Sequence, residues 1–176
     1  PHFHWAIFVS ISLILVLALV RISNFALLDF VPQNFVVPHK AKALALYVSN
    51  GAAATGSSTT RSLSFTSPNT AGNLAVVSAG WGSGSVTATV SDSAGNIYQT
   101  AAGPISNGSL RAQIWYAQNI VGGANTVTIT FSASVNHNAE IHEYSGVVQN
   151  NALDAASFAS GSGTVPNSGF LTTTQG

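Results

Sequence analysis

Residues 125–131 read Asn-Thr-Val-Thr-Ile-Thr-Phe, and this stretch decides the fold. Val127, Ile129 and Phe131 alternate with threonines, so one face is apolar and the other carries hydroxyls. A period of two is the signature of a strand half-buried against a core. Val86-Thr87-Ala88-Thr89-Val90 alternates in the same way. Leu74-Ala75-Val76-Val77 is apolar on both faces and reads as a central strand. In Leu110–Gln118 aromatic residues fall on both faces, Trp115 on one and Tyr116 on the other.

Working outward, further β-type runs fall at 44–49, 60–66, 97–101 and 139–144, and weaker ones at 152–159 and 169–174. Spacings of about ten residues, with Gly, Ser, Asn and Pro between, predict an antiparallel sandwich or barrel. Asp92-Ser93-Ala94-Gly95-Asn96 predicts a turn, with Asp92 bonding the backbone two residues on and Gly95 at positive φ. Gly80-Trp81-Gly82-Ser83-Gly84 reads as a flexible connection carrying one large aromatic. Residues 169–176 read as a strand beginning, with a longer parent sequence expected beyond Gly176. A sandwich lacking its last strand keeps an open edge, which invites pairing with another chain.

Upstream the pattern changes. Trp5–Val20 (WAIFVSISLILVLALV) is apolar but for Ser10 and Ser12, whose hydroxyls can return to a helix backbone. Helical spacing continues through Ile22, Phe25 and Ala26 until Pro32 stops it. Residues 1–31 are therefore expected to form one hydrophobic helix, roughly 40 Å long at 1.5 Å per residue. Residues 32–42, with Pro32 and Pro38, read as a semi-rigid connector, and residues 43–176 as the β domain.

Charged residues make up 6% of the 176, and five Lys and Arg balance five Asp and Glu. Soluble domains average about 25% charged. Scattered cations and zero net charge give no footprint for nucleic acid. There is no Cys, so neither a disulfide nor a thiolate metal site can form. The chain starts at Pro1, and only His2 and His4 precede the apolar run, with Arg21 on its far side. The positive-inside rule alone would put the β domain in the cytoplasm. Removal of a basic leader upstream would reconcile that flank with the surface-type composition.

His137, Glu140, His142 and Glu143 are the densest ionisable cluster. On a strand Glu140 and His142 share a face and, with His137, have metal-ligand chemistry. No HExxH spacing supports zinc, and the preferred reading is surface polarity with Glu143 hydrogen-bonded on the other face. Asp92 with Asn96 offers too few oxygens for calcium. No GxSxG, GxGxxG or P-loop occurs, so neither an enzyme nor a cofactor is expected. Trp81, Trp115, Tyr98, Tyr116 and Tyr144 have the chemistry of a sugar platform, with sheet core as the preferred reading. Asn107-Gly108-Ser109 is the single N-x-[ST] glycosylation acceptor.

SPNTAGNLAVVSAGW, VSDSAGNIYQTA, IWYAQNIVGGANTVTITF and EIHEYSG, within residues 60–146, resemble modules of large bacterial secreted and surface proteins. That resemblance implies an Ig-like or jelly-roll β-sandwich. The whole plan, an apolar helix and then a β-rich head, is similar to archaeal-type type IV pilins. Bacterial pilins carry Glu at the fifth position, where this chain has Trp5, so the likeness is one of architecture.

Two functions follow as expectations. The first is an extracellular, pilin-like filament subunit, exported through the cytoplasmic membrane and held there before assembly. Its partners are copies of itself, and Trp5, Phe8, Ile11, Leu15, Leu19, Ile22 and Phe25 lie in the polymer core. The second is a membrane-anchored cell-surface module for adhesion or glycan binding, with the helix spanning the bilayer.

Overall fold

The computed structural model describes residues 45–50, 54–161 and 167–172. The expected helix over 1–31 and its connector over 32–42 lie outside these residues, as do the helix positions from Trp5 to Phe25.

The described chain is mainly β. Seven strands, β1 (Leu46–Asn50), β2 (Ala54–Ser64), β3 (Leu74–Trp81), β4 (Ala88–Asp92), β5 (Gln99–Asn107), β6 (Leu110–Ala117) and β7 (Thr126–Ser145), form one antiparallel sheet. Its main path runs β1-β7-β3-β6-β5, with β2 and β4 also paired to β7. No helix occurs among the described residues.

β7 organises the sheet. It is 20 residues long, and its first half, begun by the alternating stretch, pairs with β4 on one side and β2 on the other. Its second half pairs with β3 instead of β4. Between the halves the β2 register jumps from Ser58↔Val135 to Thr60↔Thr130, and Ser132, Ala133 and Ser134 are all exposed. This irregularity lets one strand change partners while inward positions keep their parity. Val127, Ile129, Phe131, Val135, Ala139 and Ile141 are buried, and one core joins them to Leu63, Phe65, Ala75, Val77, Trp81, Trp115 and Ile120. Each large side chain so buried contributes about 1.5–3 kcal/mol.

The expected strands 126–132 and 139–144 are therefore one. Composition misleads here because Ser132 to Asn138 is a polar run that resembles a turn. The pairing with β2 nonetheless continues through Val135 and His137, which stay inward. β2 begins at Ala54, six residues before the expected start, in a Gly-Ser-Thr stretch of low hydrophobicity. Residues 152–159 carry no strand, and 169–172 none either. Leu74–Val77 is central as expected, with β7 on one side and β6 on the other. Trp81 does not belong to a flexible connection. It ends β3, is 2% exposed, and its indole Nε1 donates to Val86 O at 2.9 Å.

Candidate functional site

Four polar constellations lie on this frame. The first surrounds Glu143, fully buried near the end of β7. Its carboxylate accepts from Asn69 Nδ2 at 2.7 Å, Thr70 N at 2.9 Å and Asn73 Nδ2 at 2.6 Å. All three donors come from the loop before β3. That loop is tied to the one before β7 by Asn69 N to Gly123 O at 2.8 Å and Gly123 N to Asn69 O at 2.9 Å. A Cβ on Gly122 would lie 3.0 Å from Ala71 N, so a larger residue there would press on the close approach of the two loops. A buried carboxylate without a cation survives only when its oxygens are saturated by donors. Glu143 meets that condition and clamps the two loops to the sheet.

The second is centred on His137, 5% exposed and six residues earlier on the same face. Arg61 Nε donates to His137 Nε2 at 2.9 Å. Nε2 is then the acceptor, so the ring proton sits on Nδ1 and is donated to Val135 O at 2.9 Å. The imidazole is neutral and stacks on Phe131, with centroids 4.7 Å apart. Trp81 pairs with His137 in register on one side and with Arg111 on the other. Arg111 Nη1 donates to Val86 O at 3.3 Å, and its Nε is buried without a partner in the described chain. An open cleft of about 690 Å³ lies at this end, bordered by Trp81, Arg111, His137, Asn138, Asn107 and Gly161.

The third is the Asp92 turn. Asn96 N, Asn96 Nδ2, Asn125 Nδ2 and Tyr98 Oη all donate to its carboxylate, at 2.7–3.0 Å. Partial burial pushes the carboxyl up, and the donors from Asn125, Asn96 and Tyr98 outweigh it, so Asp92 ends below its ordinary range. Burial, with the Asp92 charge beside it, raises the Tyr98 phenol. Gly95 has φ 77°, as the turn requires, but Asp92 reaches the backbone of Asn96 four residues on rather than two.

The fourth is aromatic and faces outward. Tyr47 on β1 lies 5.8 Å from Tyr144 and 5.9 Å from His142 on β7, between ring centroids. Tyr47 is 51% exposed, with Leu46 and Val48 exposed beside it. Glu140 Oε2 lies 3.6 Å from His142 Nε2.

The metal reading of the cluster fails on geometry, because His137 points into the core while Glu140 and His142 occupy the opposite face. Of these five aromatic residues, whose preferred reading is sheet core, Trp81, Trp115 and Tyr116 are buried and Tyr98 packs against the core. Tyr144 alone joins the outward group. Sequence reasoning missed Tyr47 because residues 44–49 read as an ordinary strand with no indication of its exposed edge. It also missed Asn69 and Asn73, whose partner Glu143 lies 74 and 70 residues away in the chain. Asn107 is exposed at the end of β5, and its Nδ2 donates to Gly161 O at 3.0 Å. Among the described residues no helix is long and apolar enough to cross a membrane. Comparison of the chain with protein-family models, curated proteins and solved structures finds no match.

Proposed function

We propose that the chain is the structural subunit of an extracellular, pilin-like filament. The helix of residues 1–31 packs with its copies in the polymer core. The β domain, an Ig-like or jelly-roll sandwich in this reading, forms the outer surface. One observation carries the proposal: the domain's Glu143, His137 and Asp92 are held by its own hydrogen bonds, while the large apolar side chains of Leu46, Tyr47, Val48 and Ile114 are each 40% exposed or more. A surface of this kind suits packing against copies of itself. The sandwich assignment is supported by β7 passing from β4 to β3 over a single core.

The test is negative-stain electron microscopy of native material sheared from cells, with mass spectrometry of the subunit N-terminus. Filaments containing this chain are expected. Leu15→Asp and Leu19→Asp are expected to abolish them while the circular dichroism melt of the β domain is unchanged. Filaments that persist in both variants would remove the helix from the polymer core. The outward group of Tyr47, His142 and Tyr144 favours a second reading, a membrane-anchored module for adhesion or glycan binding, since exposed rings stack on sugar faces. Membrane-bound particles in place of filaments would support it.

A further inference from the structure

Asparagine serves two purposes in this domain. Asn69, Asn73, Asn96 and Asn125 turn their carboxamides inward, to Glu143 or Asp92. Asn136 and Asn138 do not. Both are exposed on β7, and no hydrogen bond among the described residues uses either carboxamide. They begin a row. By the parity of the strand, Asn136, Asn138, Glu140, His142 and Tyr144 all point away from the core. The row spans roughly 27 Å at ~3.4 Å per residue.

The cleft of about 690 Å³ opens at the asparagine end of this row. Small residues keep its floor low. Gly80 lies between Asn138 on β7 and Ala112 on β6. A Cβ on Gly80 would lie 2.6 Å from Asn138 Oδ1, so that carboxamide lies across the glycine. Ile105 is in register with Ala112, and Asn107 with Leu110, and these residues line the far side. On the near side Thr55 and Ser57 of β2, both exposed, are in register with Asn138 and Asn136. None of these side chains carries a charge. Arg111, in register with the buried Trp81, turns its guanidinium to Val86 O. The one carboxylate on the row is Glu140, 3.6 Å from His142 Nε2. The other end of the row holds the rings of Tyr47, His142 and Tyr144.

We infer that this face, from the cleft to the rings, binds an extended neutral oligosaccharide. The cleft falls within the size of ligand sites, about 300–1,000 Å³. A carboxamide offers a donor and an acceptor together, as a sugar hydroxyl does. Asn136, Asn138, Thr55 and Ser57 therefore match a polyhydroxylated chain. Ile105, Leu110 and the tyrosine rings suit its C–H faces. Glu140 accepts from hydroxyls and repels the carboxylates of acidic sugars. A peptide strand finds less here. The backbone of β7, β3 and β6 is paired on both sides, so no ladder of free groups faces the cleft. The inference rests on the second reading, glycan binding, and gives it a length and a ligand class.

The test is isothermal titration of the full chain with cello-, manno-, xylo- and chito-oligosaccharides, each as disaccharide and hexasaccharide. Hexagalacturonate is the acidic control. At least one neutral hexasaccharide is expected to bind, roughly tenfold or more tighter than its disaccharide, because only the longer chain reaches from Asn138 to Tyr144. Asn138→Ala and Tyr144→Ala should each weaken it severalfold, and Ala112→Trp, which fills the cleft, should abolish it. The melt of the β domain should not change in these variants. Ser91→Ala on β4 should leave binding unaltered. Equal affinity for the two lengths, or no response to Asn138→Ala or to Ala112→Trp, overturns the extended site and leaves sugar binding at the rings standing. No binding by any neutral probe overturns the inference and the glycan reading together. Tighter binding of hexagalacturonate than of every neutral probe, or a loss with Ser91→Ala equal to that with Asn138→Ala, overturns the inference as well. The filament reading is decided separately by the microscopy.

Discussion

Glu143 and His137 lie six residues apart on the same inward face of β7, and both are buried. They are satisfied in opposite ways. Glu143 draws three donors from a separate loop, each fixed by its own backbone position. His137 takes one bond from the end of a long Arg61 side chain and returns the other to its own strand. The first arrangement is rigid and brings two distant loops together. The second is local, and its partner can leave. A buried polar group is therefore not a fixed quantity of stability; what matters is whether the partner can find water when the group is removed.

The largest effect is expected at the rigid end. Glu143→Ala removes the acceptor of Asn69 Nδ2, Thr70 N and Asn73 Nδ2 in a buried site. Each buried donor left unpaired costs about 1–3 kcal/mol. Urea unfolding should show a loss of about 3–5 kcal/mol, in the range found when a buried charged interaction loses one partner. Glu143→Gln keeps the shape and one acceptor oxygen and should lose roughly half as much, since hydrogen bonds to a charged group contribute about 1.5–3 kcal/mol each. A loss under about 1 kcal/mol for Glu143→Ala would mean that water replaces the carboxylate and that the clamp is not structural.

At the local end the effect is smaller and depends on shape. His137→Ala removes the ring stacked on Phe131 and leaves a cavity beside Trp81, with an expected loss of about 2–4 kcal/mol. His137→Phe keeps the stack and loses only the Arg61 and Val135 contacts. Arg61 is half-buried and can swing into solvent, so the expected loss is about 1 kcal/mol. Equal losses in the two variants would show that the hydrogen bonds, rather than the packing, hold this end. The two sites on β7 would then behave alike.

The same contrast explains what the sequence disclosed. Alternation at Val127, Ile129 and Phe131 marked the strand and its inward face, and the apolar run at Leu74–Val77 marked the centre of the sheet. Both signals come from apolar side chains that only a core can accommodate. Ser132 to Asn138 gave no such signal, because its continuation is held by backbone pairing to β2, which leaves no imprint on composition. The Glu143 clamp was half legible. One strand's alternation put Glu143 opposite Glu140 and His142, whereas Asn69 and Asn73 are 74 and 70 residues away in the chain. Nothing local links them. His137 reads as a surface residue in a turn because the polar run conceals that the strand, and its parity, extends through it.

Asp92 sharpens the comparison because it has the donor chemistry of Glu143 without its burial. Asn96, Asn125 and Tyr98 surround it, yet the turn remains partly open to water. Its carboxyl lies below the ordinary value, so near pH 4 the unfolded chain holds more protons than the folded one. Stability from this group is complete above the unfolded carboxyl value of about 3.9 and is lost as pH falls through the lower folded value. Asp92→Asn should cost about 1–2 kcal/mol at pH 7, less than Glu143→Ala, because water reaches the turn's freed donors. It should also flatten the decline in melting temperature below pH 4 relative to the parent chain. If the two acid profiles are parallel, the turn contributes nothing to acid sensitivity. Solvent access would then have cancelled what three neutral side chains and one backbone amide supply, leaving burial as the sole difference between Asp92 and Glu143.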